Sequence, residues 1–152
     1  MNLKIICALA LLNATAVSAQ TNPMLPENSV TRVSEHVYAI MGWPNIAIVV
    51  GERGTLVVDT GLGARNGAVA LREAGKLAKP GASLYLTTTH FHPEHSSGAS
   101  AFPPHTVVIR PAVQQEEMIG GNAQFNRALP QAVPADETAT RRRDHARPRY
   151  CF

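Results

Sequence analysis

The segment Leu84-Tyr85-Leu86-Thr87-Thr88-Thr89-His90-Phe91-His92-Pro93-Glu94-His95 sets three imidazoles and a carboxylate directly after a run that reads as a buried strand. That junction constrains the fold. The polar loop has to emerge from the carboxyl end of a strand, where ligand sites gather in α/β arrangements. Imidazole is the commonest protein ligand for metal ions, and alternate residues of an extended chain project to one side. His90 and His92 are therefore expected to converge on one ion. Glu94 and His95 follow where the chain turns, and can face a second.

Around this loop the sequence predicts a β-first half-domain. Residues 30–35 and 36–41 alternate apolar and polar side chains, as half-buried strands do. Residues 46–50 and 55–58 are apolar, β-branched runs joined by Gly51-Glu52-Arg53-Gly54, which reads as a hairpin. Residues 66–78 combine good helix formers with an apolar stripe at Val69, Ala70, Ala74 and Leu77, closed by Pro80-Gly81. Beyond the motif, a helix is expected after Ser96-Ser97-Gly98, a strand over 106–109, and a polar helix beginning over 113–118. Strand, helix, strand in that order predicts an α/β (α+β) fold. His36 falls in the early meander and reads as a strand histidine. Trp43, in the turn Trp43-Pro44-Asn45, either covers an apolar substrate or packs on the sheet edge.

The two ends differ from the middle. Lys4, the apolar run from Ile5 to Leu12, and Val17-Ser18-Ala19 before Gln20 suit a signal peptide over residues 1–19, cleaved after Ala19. A periplasmic or secreted protein is expected. The apolar run is too short for a stable membrane anchor. Cys7 would leave with that peptide and Cys151 would remain the only thiol, so no intramolecular disulfide is expected. Residues 20–29 read as a linker. From Thr21 to Thr140, 8 Lys and Arg stand against 10 Asp and Glu, a balance of −2. The overall charge of +3 thus comes from Lys4 and from an Arg-rich end that lacks any aromatic platform, which argues against a nucleic-acid partner. Residues 127–152 read as an irregular or disordered basic tail.

The motif resembles that of the metallo-β-lactamase-fold hydrolase superfamily, His-x-His-x-Asp-His at a strand end, with Glu94 in place of the aspartate. Members of that family open with a β-meander closed by an Asp-Thr-Gly turn, and Thr55-Leu56-Val57-Val58-Asp59-Thr60-Gly61 is similar to it. The resemblance implies an αββα sandwich with metals held along one edge. It implies His90 and His92 on the first metal, Glu94 and His95 on the second, and Asp59 as the group that orients a ligand imidazole from behind. Taken alone, Asp59 is also good turn chemistry. The loop carrying Trp43 corresponds to one that flanks substrate in the family.

By the same resemblance, metal-bound hydroxide attacks an ester, lactone, thioester or lactam bond of a small molecule, with two ions about 3.5–4 Å apart. Nitrogen-rich ligation favours zinc, one or two ions, with iron and manganese the metals such ligands also hold. The longer Glu94 is expected either to reach its ion through a changed rotamer or to act as a base. The expected αββα domain typically runs to roughly 200 residues or more, and the chain has 152. The family's later ligands are not recognisable. His105 follows Pro103-Pro104 too soon to fold back, and His145 sits in the Arg-rich end. The expectation is a sandwich truncated to its N-terminal half, over residues 30–126. Two functions follow: an exported metallo-hydrolase, or a catalytically incomplete fragment that holds metal weakly or not at all.

Overall fold

The computed structural model describes residues 24–120 and the backbone of Tyr150–Cys151. The expected signal peptide and most of the expected basic tail lie outside the described residues. The chain opens with a meander of four antiparallel strands, β1 (Val30–Arg32), β2 (Val37–Ile40), β3 (Ile46–Val50) and β4 (Gly54–Val58). Period-2 alternation decides which face is buried. Ile40, Ile46, Ile48, Val50 and Val57 are buried, whereas Ala39, Ala47, Val49 and Leu56 on the opposite face are only half-buried. Each fully buried Ile or Val contributes about 1.5–3 kcal/mol by leaving water. A one-residue slip would move all of them to the other face.

After β4 the direction of pairing changes. Helix α1 (Gly63–Leu77) crosses over to β5 (Ser83–Thr87), which runs parallel to β4 with Val58 opposite Thr87. The predicted stripe faces the sheet: Val69, Ala70 and Ala74 join the core cluster, and Leu77 packs against it. The helix begins three residues before the expected Asn66. Leu62 at its start offers no side-chain cap, and the Gly63 N–H instead donates to Ser97 Oγ at 2.8 Å, a partner no local pattern announces.

Beyond the motif come α2 (Pro93–Ser96), a 3-10 turn (Ser97–Ala101), β6 (Val107–Arg110), α3 (Ala112–Ile119) and β7 (Tyr150–Cys151). The result is one mixed sheet in the order β1-β2-β3-β4-β5-β6-β7, matching the expected α+β class. The helix expected after Ser96-Ser97-Gly98 is instead the end of a 3-10 turn that stops at Ala101. Gly98 sits so close to α1 that a methyl on Gly67 would collide with the Gly98 carbonyl, and one on Gly98 with the Thr60 carbonyl. Backbone packs on backbone there, leaving no room for a longer helix to roll. His36 lies in the bend before β2 rather than within a strand, at the sheet end away from Asp59.

Residues 24–29, read as linker, pack on the domain. Leu25 is buried and its N–H donates to Asn66 Oδ1 at 3.0 Å. Glu73 anchors the same region: Lys76 Nζ reaches its carboxylate oxygens at 2.8 and 3.0 Å and Asn28 Oδ1 at 2.7 Å. Burial pushes the Glu73 carboxyl up, but the Lys76 hydrogen bond and charge, with Arg72 beside it, bring the balance below the usual glutamate value. A depressed folded value means the stabilisation is complete above the unfolded glutamate range and is lost as pH falls through the folded value. Urea midpoints measured down an acid series should therefore fall for the native chain, and fall less for Glu73→Gln.

Candidate metal centre

Register puts the site where it is. The carboxyl ends of β4 and β5 lie side by side, so Asp59, one residue past β4, and Thr88-Thr89-His90, just past β5, emerge at the same edge. The Asp59 N–H extends the ladder by one bond to the Thr87 carbonyl at 2.9 Å. Asp59 has φ of 68°. Aspartate is among the few residues that tolerate this left-handed region.

That turn swings the Asp59 carboxylate under the histidine loop. Asp59 is 3% exposed. Its Oδ1 accepts the Thr89 N–H at 2.7 Å, its Oδ2 accepts His95 Nδ1 at 2.9 Å, and the Thr89 hydroxyl lies 3.1 and 3.0 Å from the two oxygens. His95 is further fixed from its backbone, its carbonyl accepting both the N–H and the hydroxyl of Thr60 at 2.9 and 3.0 Å. With His95 Nδ1 committed to Asp59, its Nε2 lone pair is left for an external partner.

His90, Glu94 and His95 each offer one donor atom, and these lie within 4.8 Å of one another. Among the described residues they form the one such group. His92 stands beside it: its ring meets that of His90 edge-on at 4.7 Å, and its Nδ1 is 3.7 Å from Glu94 Oε1. The geometry thus adds Glu94 and His95 to His90, beside the His90–His92 pair that the spacing predicts. The cause is local. β5 ends at Thr87, and α2 starting at Pro93 turns Glu94 and His95 back over His90. Glu94 reaches the cluster despite its extra methylene.

Two imidazoles and a carboxylate are a donor set suited to a divalent cation. Burial lowers the His90 pKa, and the neighbouring His95 and His92 lower it further, against the opposing pull of Asp59 and Glu94. The shift favours the neutral ring, the form that binds metal. Trp43, 42% exposed, lies in the turn between β2 and β3, at the sheet end that carries Asp59. His105 is exposed before β6, and His145 lies outside the described residues. In the sequence Thr89 reads only as part of the strand run before His90. Its hydroxyl touches Asp59, His90 and His95, which nothing short of the folded loop reveals.

The sequence model of the metallo-beta-lactamase superfamily matches residues 44–148. The chain belongs to the metallo-beta-lactamase superfamily. Its fold is similar to that of FEZ-1 metallo-beta-lactamase from Legionella gormanii, at 18% identity and TM-score 0.56, over 73% of this chain and 44% of that one. It is also similar to the inverting sec-alkylsulfatase Pisa1 from Pseudomonas sp., at 20% identity and TM-score 0.53, over 66% and 17%. A B3 metallo-beta-lactamase described as having an active-site glutamic acid matches at 19% identity and TM-score 0.53, over 65% and 38%. The chain therefore spans 17 to 44% of the length of these three structures. No curated protein matches significantly. Membership accounts for the order meander, Asp-Thr-Gly turn, helix, motif strand along the superfamily chain.

Proposed function

We propose that this chain carries the histidine-rich part of the metal centre of an exported hydrolase, zinc-dependent, acting on an ester, lactone, thioester, lactam or sulfate-ester bond of a small molecule. The observation that carries the reading is the trio His90, Glu94 and His95, with donors within 4.8 Å and His95 oriented by Asp59 at 2.9 Å. Superfamily membership supports hydrolysis, and the apolar start ending at Ala19 supports export.

A divalent ion held there supplies Lewis acidity toward the scissile group and makes water acidic enough to react near neutral pH. His90, Glu94 and His95 would hold it, with His92 adjoining. Glu94 is the carboxylate ligand in this reading, its role as a base being the alternative if it stands off the ion; one of the similar structures is described as having an active-site glutamic acid. Asp59 holds the His95 proton on Nδ1. Trp43 offers an apolar wall to the substrate from the adjacent turn.

Calorimetric titration of metal-free full-length protein with zinc is expected to show at least one tight site, lost in His95→Ala. A chromogenic panel of lactam, lactone, thioester, carboxylic ester and sulfate ester then tests turnover. Binding without turnover on the whole panel would favour the incomplete-fragment alternative. Absence of binding by folded protein would sink the metal reading outright.

A further inference from the structure

We infer that the Thr89 hydroxyl passes the influence of Asp59 on to His90, so that one buried carboxylate sets the tautomer of two imidazoles. The functional weight of this rests on the metal reading above; the tautomers themselves do not.

The argument is a count of protons. Thr89 Oγ1 lies 3.1 and 3.0 Å from Asp59 Oδ1 and Oδ2, 3.1 Å from His90 Nδ1 and 3.3 Å from His95 Nδ1. A hydroxyl has one proton to donate and two lone pairs to accept with. His95 Nδ1 makes its shorter contact with Asp59 Oδ2, at 2.9 Å, and an ionised carboxylate can only accept, so His95 carries its proton on Nδ1. It is then no acceptor for Thr89. The hydroxyl proton can go to Asp59 or to His90. Sending it to His90 would leave the Thr89 lone pairs facing both carboxylate oxygens at about 3 Å with nothing between them. Sending it to Asp59 makes a charge-assisted bond, roughly twice as strong as a neutral one. Thr89 Oγ1 then faces His90 as an acceptor, and His90 carries its proton on Nδ1.

Both rings thereby leave Nε2 unprotonated. His90 and His95 have ring centroids 4.0 Å apart with their planes tilted by 46°, so the two unprotonated nitrogens belong to neighbouring rings before any ion arrives. The two outcomes have different roots: His95 is held by Asp59 directly, and His90 only through Thr89. The Thr89 N–H bond to Asp59 Oδ1 at 2.7 Å fixes the backbone that places the hydroxyl, and no change of the Thr89 side chain removes it. Thr89 is a positioning residue in this scheme.

The test reads ring nitrogens in metal-free full-length protein labelled with 15N-histidine, at a pH where the rings are neutral. Two-bond 1H–15N correlations separate protonated from unprotonated nitrogens. His90 and His95 are both expected as the Nδ1–H form in the native chain. In Thr89→Val, His90 should populate the Nε2–H form while His95 is unchanged, and Thr89→Ser should restore His90. Zinc affinity should fall about 10-fold or more in Thr89→Val, as for other groups that orient ligands, and recover in Thr89→Ser. A native His90 protonated on Nε2 overturns the proposal, even if the valine variant fails to fold. So does a valine variant whose His90 spectrum matches the native one. Expected tautomers with no zinc binding in the native chain would instead count against the metal reading and leave the relay standing.

Discussion

Gly98→Ala is expected to cost about 3 kcal/mol or more in folding stability, the upper end for overpacking a close contact, and to weaken zinc binding with it. The added methyl would strike the Thr60 carbonyl, and Gly98 already lies against the backbone of Gly67 on α1. Those obstacles are main chain on two different elements, so no rotamer change relieves the clash. The Gly98 N–H also donates to the Gly61 carbonyl and to Thr60 Oγ1, each at 3.1 Å. Any retreat of Gly98 therefore drags Thr60, whose N–H and hydroxyl hold the His95 carbonyl. Gly75→Ala is the control: it is exposed on the same helix with nothing within 4 Å of the new methyl, and should stabilise by about 0.5–1 kcal/mol. Urea melts and zinc titrations of both variants check the pair. A Gly98→Ala protein melting like the native chain would show that the 3-10 turn slides freely on α1, contrary to the packing described.

How much of this could be read from the residues depends on the range of the interaction. The strands from β2 to β6 and the core face of α1 follow from apolar strand runs and helical patterning, because a half-buried element must show its buried side chains at fixed spacing. The strand expected over 30–35, by contrast, ends at Arg32 and leaves Val33 exposed. The Asp-Thr-Gly turn and the histidine loop were legible as neighbours because both follow strands that the family pattern places together. What escaped was decided by single contacts between distant segments. Ser97 caps α1 across 34 residues, Asn66 receives Leu25 across 41, and Gly98 meets Gly67 through atoms glycine lacks a side chain to advertise. The same holds at the site. Alternation along an extended chain grouped His90 with His92, which stands beside it, and the turn at Pro93 brings Glu94 and His95 to His90 as well. Motif spacing identified which residue types meet; only the path of the loop could say which atoms do.

Asp59→Asn is expected to lower zinc affinity 10- to 100-fold, the usual cost of removing a group that orients a ligand. The substitution isolates charge from shape. Asparagine tolerates the left-handed backbone at φ 68° almost as aspartate does, and it fills the same space. It has, however, only one acceptor oxygen where Asp59 uses two, one for the Thr89 N–H and one for His95 Nδ1. Its amide nitrogen must face one of those donors, costing about 1–3 kcal/mol for a buried polar group left unpaired. If the oxygen stays on Thr89, His95 is driven to carry its proton on Nε2, the nitrogen the ion needs. If it turns to His95, the backbone at Thr89 loosens and His90 moves. Either way a donor of the trio is lost. Asp59→Ala should bring a similar loss of affinity and a further stability cost, since alanine lacks the tolerance for that backbone, about 1–3 kcal/mol for such a residue. Zinc titration and urea melts of the two variants separate these effects. Native zinc affinity in folded Asp59→Asn would mean that the carboxylate supports the turn alone and leaves the imidazoles to orient themselves.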